Sequence, residues 1–145
     1  MQGVPTAEFE RTVHMTTTDM VIELENDEPG ELARVAHALS DAGINIAAAT
    51  ALGAGHSPEV HILVQHPEAV RHALAVVHSV SITREREVVV VQAEDRPGEL
   101  ADLTGKIAAA GVNLDLVYVA TGSRVVFGAE DLDGLRAALN GARIA

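Results

Sequence analysis

Hydrophobic and polar positions alternate from Met20 to Glu25, with Met20, Ile22 and Leu24 on one side and Glu23 and Glu25 on the other. A period of two is the signature of a half-buried strand. From Leu32 the period lengthens, and Leu32, Val35, Ala36, Leu39 and Ala42 follow the spacing that lines one face of a helix. Asp27 stands as the candidate N-cap, with Pro29 in the first turn, where a missing N–H costs no hydrogen bond. Gly43 suits the left-handed position after a helix. The pattern then predicts strands over Ile44 to Ala51 and Val60 to Val64, parted by the turn Gly53 to Pro58. A helix over about Pro67 to Val77 follows, then an alternating strand from Val80 to Glu87.

The same order then begins again. Val88 to Val91 is apolar on both faces, so the pattern does not assign its inward side. Leu100, Leu103, Ile107 and Ala110 repeat the helical spacing, with Asp95 at the candidate N-cap, Pro97 in the first turn and Gly111 after the end. Strands over Val112 to Ala120 and Arg124 to Phe127 and a helix over about Asp131 to Leu139 complete the series. Two motifs hold one offset: Asp27 and Asp95 are 68 residues apart, and so are Asn45 and Asn113. Arg71 and Arg136, which open matching Arg-x-Ala-Leu stretches, are 65 apart, so the first copy carries three extra residues, most simply in the Gly53 to Pro58 turn. The chain reads as a duplication. A length of 145 residues suits one average domain or two small ones. We expect a first unit over 18–87 and a second, C-terminally truncated, over 88–145, preceded by an N-terminal segment, 1–17. The second copy leaves no room for a fourth strand after Leu139. Phe9, Arg11, Val13 and Met15 alternate with Glu10, Thr12, His14 and Thr16. The stretch from about Phe9 to Thr16 is therefore expected to complete the second sheet, because an open edge invites aggregation; a flexible tail is the plainer alternative.

Each half thus reads β-α-β-β-α-β. That is an α+β fold of two ferredoxin-like units, each an antiparallel sheet with two helices on one face. Asp-x-Pro-Gly-x-Leu after the first strand, at 27–32 and 95–100, is followed by Ala-Gly-[Ile/Val]-Asn-[Ile/Leu] at 42–46 and 110–114. This pair of motifs resembles the ACT domain, and about residues 18 to 142 are similar to the small tandem-ACT regulatory proteins. The resemblance implies a non-enzymatic regulatory module. It implies that ACT-type units pair side by side, that a small amino acid binds at their interface, and that the protein is a homodimer or larger and acts on a regulated enzyme. A structural pairing module without a ligand is the alternative.

Composition narrows the chemistry. Ten basic against 21 acidic residues leave a net charge of −11, which disfavours nucleic acid and anionic membranes as partners. Phe9, Tyr118 and Phe127 are the only aromatics, too few for a base-stacking platform. With no cysteine there is no disulfide, thiol nucleophile or Cys-based metal site. The N-terminus lacks a signal peptide's basic and apolar regions, and no apolar run approaches the ~20 residues that span a membrane; the expectation is a cytoplasmic protein. Histidines 14, 37, 56, 61, 66, 72 and 78 have no counterparts in the second copy, and His56, His61 and His66 alternate across a turn and a strand. No metal site is expected. No Ser-His-Asp order, phosphate loop or paired catalytic carboxylates stand out, so neither catalysis nor a cofactor is expected.

The candidate ligand residues are Asp27, Glu28, Pro29, Gly30, Glu31 and Leu32, with Asn45 and Ile46, and their counterparts Asp95, Arg96, Pro97, Gly98, Glu99 and Leu100, with Asn113 and Leu114. Unpaired N–H groups at a helix start favour an anion such as a carboxylate, and glycine leaves the backbone open to it. A glycine that serves only the turn is the plainer alternative. Asn45 and Asn113 both donate and accept, which suits a zwitterion; either also serves as a turn cap. Two pockets are expected, one near Gly30 and Asn113, the other near Gly98 and Asn45. Glu28 and Glu31 oppose a carboxylate, whereas Arg96 stands in place of Glu28, so the Gly98 loop is expected to bind more tightly.

Overall fold

The alternation near the start folds as strand β1 (Thr17–Leu24), and its apolar side, Met20, Ile22 and Leu24, is buried. In this computed structural model, which describes residues 17–25, 28–53 and 57–144, the chain divides into two compact units between Glu87 and Val88. In the first unit β1 leads to helix α1 (Glu31–Asp41), strands β2 (Ala48–Leu52) and β3 (Glu59–Val64), helix α2 (Pro67–Leu74) and the opening half of β4 (Val80–Gln92). The sheet order is β2-β3-β1-β4, with β3 antiparallel to both β1 and β2. Val35 and Leu39 of α1 and Val70 and Leu74 of α2 pack on Met20, Ile22, Leu24, Val60, Ile62 and Val64, so both helices lie on one face.

The closing half of β4 opens the second unit, followed by α3 (Glu99–Ala109), β5 (Leu116–Ala120), β6 (Arg124–Gly128) and α4 (Leu132–Ala138). Here β6 pairs antiparallel with β4 and β5. Leu103, Ile107, Leu135 and Leu139 cover Val89, Val91, Val125 and Phe127. The packing thus assigns the inward side that the all-valine stretch left open: Val89 and Val91 face the helices, while Val88 and Val90 are buried on the other face.

Several expectations need correction. The second unit does have a strand after α4: β7 (Arg143–Ile144) pairs antiparallel with Val91 and Gln92 of β4. The expected N-terminal strand, Phe9 to Thr16, lies outside the described residues. The ladders of β2 and β5 begin at Ala48 and Leu116, not at Ile44 and Val112, because Ile44, Ile46, Val112 and Leu114 pack into the cores before their backbones meet a partner strand. The second face of β1 is not exposed either. Asp19 and Val21 are 0% and 4% accessible, and Asp19 Oδ2 lies 2.8 Å from His61 Nδ1.

Both long helices close as expected. Gly43 and Gly111 have φ of 73° and 74°. Around the first, Gly43 N–H donates to Ser40 O at 2.9 Å and Ile44 N–H to Leu39 O at 2.9 Å; Gly111 and Val112 repeat the pair on Ala108 and Ile107. These two bonds satisfy carbonyls that the helix end leaves open.

Candidate functional site

Each long helix starts three residues later than the sequence pattern suggests. The residue flanking the helix is Gly30 before α1 and Gly98 before α3, with φ of 98° and 91°, and neither helix has a side-chain cap. Pro29 and Pro97 therefore precede the cap, not the first turn, and Asp95 is exposed without capping α3. Asp27 lies outside the described residues. The physical reason is a tight turn on each side: Glu31 N–H donates to Glu28 O and Glu99 N–H to Arg96 O, both at 3.4 Å, and closing it demands a left-handed residue before the helix. Gly30 O and Gly98 O then accept the first helical bonds, from Arg34 and Asp102. Among the described residues no side chain caps the next N–H groups, which lie beside Leu32 and Leu100, both about half exposed. A valine at Gly98 would meet open space apart from Arg96 Nη1 at 3.6 Å, yet φ of 91° strains it by about 1–3 kcal/mol. Such a variant reports on backbone strain as much as on ligand contact.

The side chains of the two loops differ more than the backbones. Glu31 is 1% accessible. Its Oε1 accepts from Arg34 Nη1, while Oε2 has no hydrogen-bond partner among the described residues. Spacing did not reveal this, because a glutamate in a first helical turn reads as a solvated partner of the helix dipole. Its counterpart Glu99 is satisfied: Oε2 accepts from Glu94 N–H at 3.2 Å and forms an ion pair with Arg96 Nε at 3.3 Å. Arg96 is not the spare cation expected. It meets Glu94 at 3.3 Å and Asp102 at 2.8 Å as well, and donates to Pro97 O at 3.3 Å. The Asp102 hydrogen bond, aided by the Glu99 charge, holds its guanidinium above the ordinary arginine pKa. Glu28, at the matching place in the first loop, is exposed.

Asn45 and Asn113 are exposed on the segments that lead into β2 and β5, whereas Ile46 and Leu114 turn inward to the cores. The loop residues and Asn45 thus belong to the first unit, and their counterparts to the second. Among the described residues no group of three His, Asp or Glu side chains is arranged to hold a metal ion. No described helix is long and apolar enough to cross a membrane.

No model of a protein family matches the sequence, and no curated protein matches it. Solved structures do. The chain is similar to protein BT0572 from Bacteroides thetaiotaomicron, at 26% identity and a TM-score of 0.77 over 90% of this chain and 92% of that one. It is also similar to the regulatory subunit of aspartate kinase from Thermus thermophilus, in a ligand-free form, at 19% identity and a TM-score of 0.65 over 88% and 93%. The corresponding subunit from Thermus flavus gives 18% and 0.56. The mixed α/β fold with antiparallel strand pairing is shared with these solved structures. The likeness extends over nearly the whole length of each.

Proposed function

We propose that this chain is a non-enzymatic, cytoplasmic regulatory protein of two ferredoxin-like ACT units in tandem, which binds a small amino acid where such units pair and changes the activity of an enzyme partner. The carrying observation is the first helix-opening loop, where, among the described residues, no side chain caps the N–H groups at the start of α1 and its first residue, Glu31, is a buried carboxylate with one oxygen lacking a donor. An α-amino acid supplies both missing halves. Its carboxylate answers the N–H groups, and its ammonium group answers Glu31, the reverse of the repulsion read from the sequence. Asn45 and Asn113 would orient the ammonium group, and the regulatory subunits of aspartate kinase that share the fold support the regulatory role.

Thermal melting against the twenty amino acids tests the reading. A ligand at a hundred times its Kd stabilises the folded chain by about 2.7 kcal/mol, which is several degrees for a domain of this size. One amino acid, or a closely related few, is expected to raise the midpoint. No shift with any of the twenty removes amino-acid binding.

A pairing module without a ligand is the second reading, favoured by the strands that end each sheet. Leu52 on β2 is 67% exposed, and Val117 and Val119 on β5 are 41% and 67% exposed. Apolar edge strands without lysine or proline accept a further strand. Both readings expect self-association, and sedimentation should give at least twice the chain mass of 15.2 kDa at micromolar concentration. A monomeric mass there excludes the homodimer.

A further inference from the structure

In the first unit, Ala38 of α1 and Val77 pack against the core and line a cleft of ≈ 570 Å³ together with Arg34, His37, Asp41 and His78 among others. The position on α3 that matches Ala38, 68 residues on, is Lys106, and the chain returning after α4 pairs with β4 only at Val91 and Gln92. A cleft of ≈ 590 Å³ lies within the second unit, lined by Gln92, Glu94, Arg96, Glu99, Leu103 and Lys106 among others. Its size is ordinary for a small-molecule site. Glu99, Leu103 and Lys106 recur at helical spacing and share one face of α3, which places a cation at one end of the wall and a carboxylate at the other. Leu103, 4% accessible, gives the wall an apolar middle.

The charges point to the ligand. Arg96 is already held by Glu94, Glu99 and Asp102. Lys106, the only lysine in the chain, has no side-chain partner among the described residues. The Glu94 carboxylate is 79% exposed. The lining carries two positive and two negative side chains, so it matches a neutral molecule with separated charges better than an anion or a cation.

We infer that this cleft is an amino-acid site of its own, distinct from the helix-opening backbone. The Lys106 ammonium donates to the ligand's carboxylate, and Glu94 accepts from its α-ammonium group. A compact ammonium on a flexible stem suits a single small carboxylate, and its charge-assisted bond is the stronger kind. The inference rests on the amino-acid reading above, since it concerns the same class of ligand.

The test uses the full chain and the amino acid that raises the melting midpoint. Calorimetry compares wild type, Lys106→Met and Lys106→Arg. In parallel, the single lysine of the wild type, labelled by reductive 13C-methylation, is followed by NMR during titration. The expected result is a lysine signal that moves with saturation, an affinity at least about tenfold weaker in Lys106→Met, and partial recovery in Lys106→Arg. Equal affinity in wild type and Lys106→Met with an unmoved lysine signal overturns the cleft and leaves the helix-opening reading standing. Should Lys106→Met fail to fold, the wild-type signal decides alone. If no amino acid binds the wild type, both readings fall together.

Discussion

Phe127→Ala is expected to destabilise the second unit by about 3–5 kcal/mol, the usual cost of emptying a large aromatic site in a close-packed core. Phe127 is the largest of the fully buried side chains, with no accessible surface, and it sits on β6 in the cluster formed by Val89, Val91, Leu103, Ile107, Leu135 and Leu139. Among the described residues no other aromatic belongs to that cluster, and branched aliphatic neighbours collapse poorly into a ring-shaped void. None of these residues belongs to the core of the first unit. Amide exchange should therefore speed up most in β4, β6 and α3 and least in β1 and β3, alongside an earlier urea midpoint. A loss below 1 kcal/mol, or equal loss of protection in both units, would contradict this account of two separate cores.

The second large effect is expected at His61. Asp19 is fully buried, and His61 Nδ1 lies 2.8 Å from its Oδ2. Removing one partner of a buried pair deprives the desolvated survivor of that contact, a loss of up to about 3–5 kcal/mol when the survivor is charged. His61→Phe fills the space but provides no polar atom, so a cost of about 3 kcal/mol is expected. Asp19→Leu combined with His61→Phe should regain a good part of it, because the buried carboxylate is then removed together with its contact to His61. Chemical denaturation of both singles and the double completes the cycle. If the two single losses simply add, the pair is not a coupled unit.

The two pairs of glycines divide what a sequence shows from what it does not. Gly43 and Gly111 adopt the left-handed conformation that their place after an amphipathic run foretold. Only local backbone bonds are involved, and those follow from the neighbouring residues. Gly30 and Gly98 adopt it too, yet the sequence pattern sets the helix starts at Asp27 and Asp95. Aspartate before proline is a sound capping signal. The turn of residues 28–31 and 96–99 prevailed over it, and that choice depends on how the incoming strand meets the helix. The candidate site follows the same division. Its loops were legible as motifs, whereas the buried state of Glu31 and the three carboxylates around Arg96 were not, since both depend on which side chains the folded loop brings close.

What the sequence by itself determined is the set of local periods: alternation for β1 and the opening half of β4, a helical stripe for each of the two long helices, and the apolar residues that these elements bring to the two cores. These survive because burying one face of each element dominates the energetics wherever that element lies. The tertiary structure alone decided where the ladders of β2 and β5 begin and that the second face of β1 carries a buried carboxylate. It also decided that β7 pairs with two residues of β4, and that a cleft opens beside Lys106. Each of these depends on a partner distant in the chain, and a period carries no information about which partner arrives.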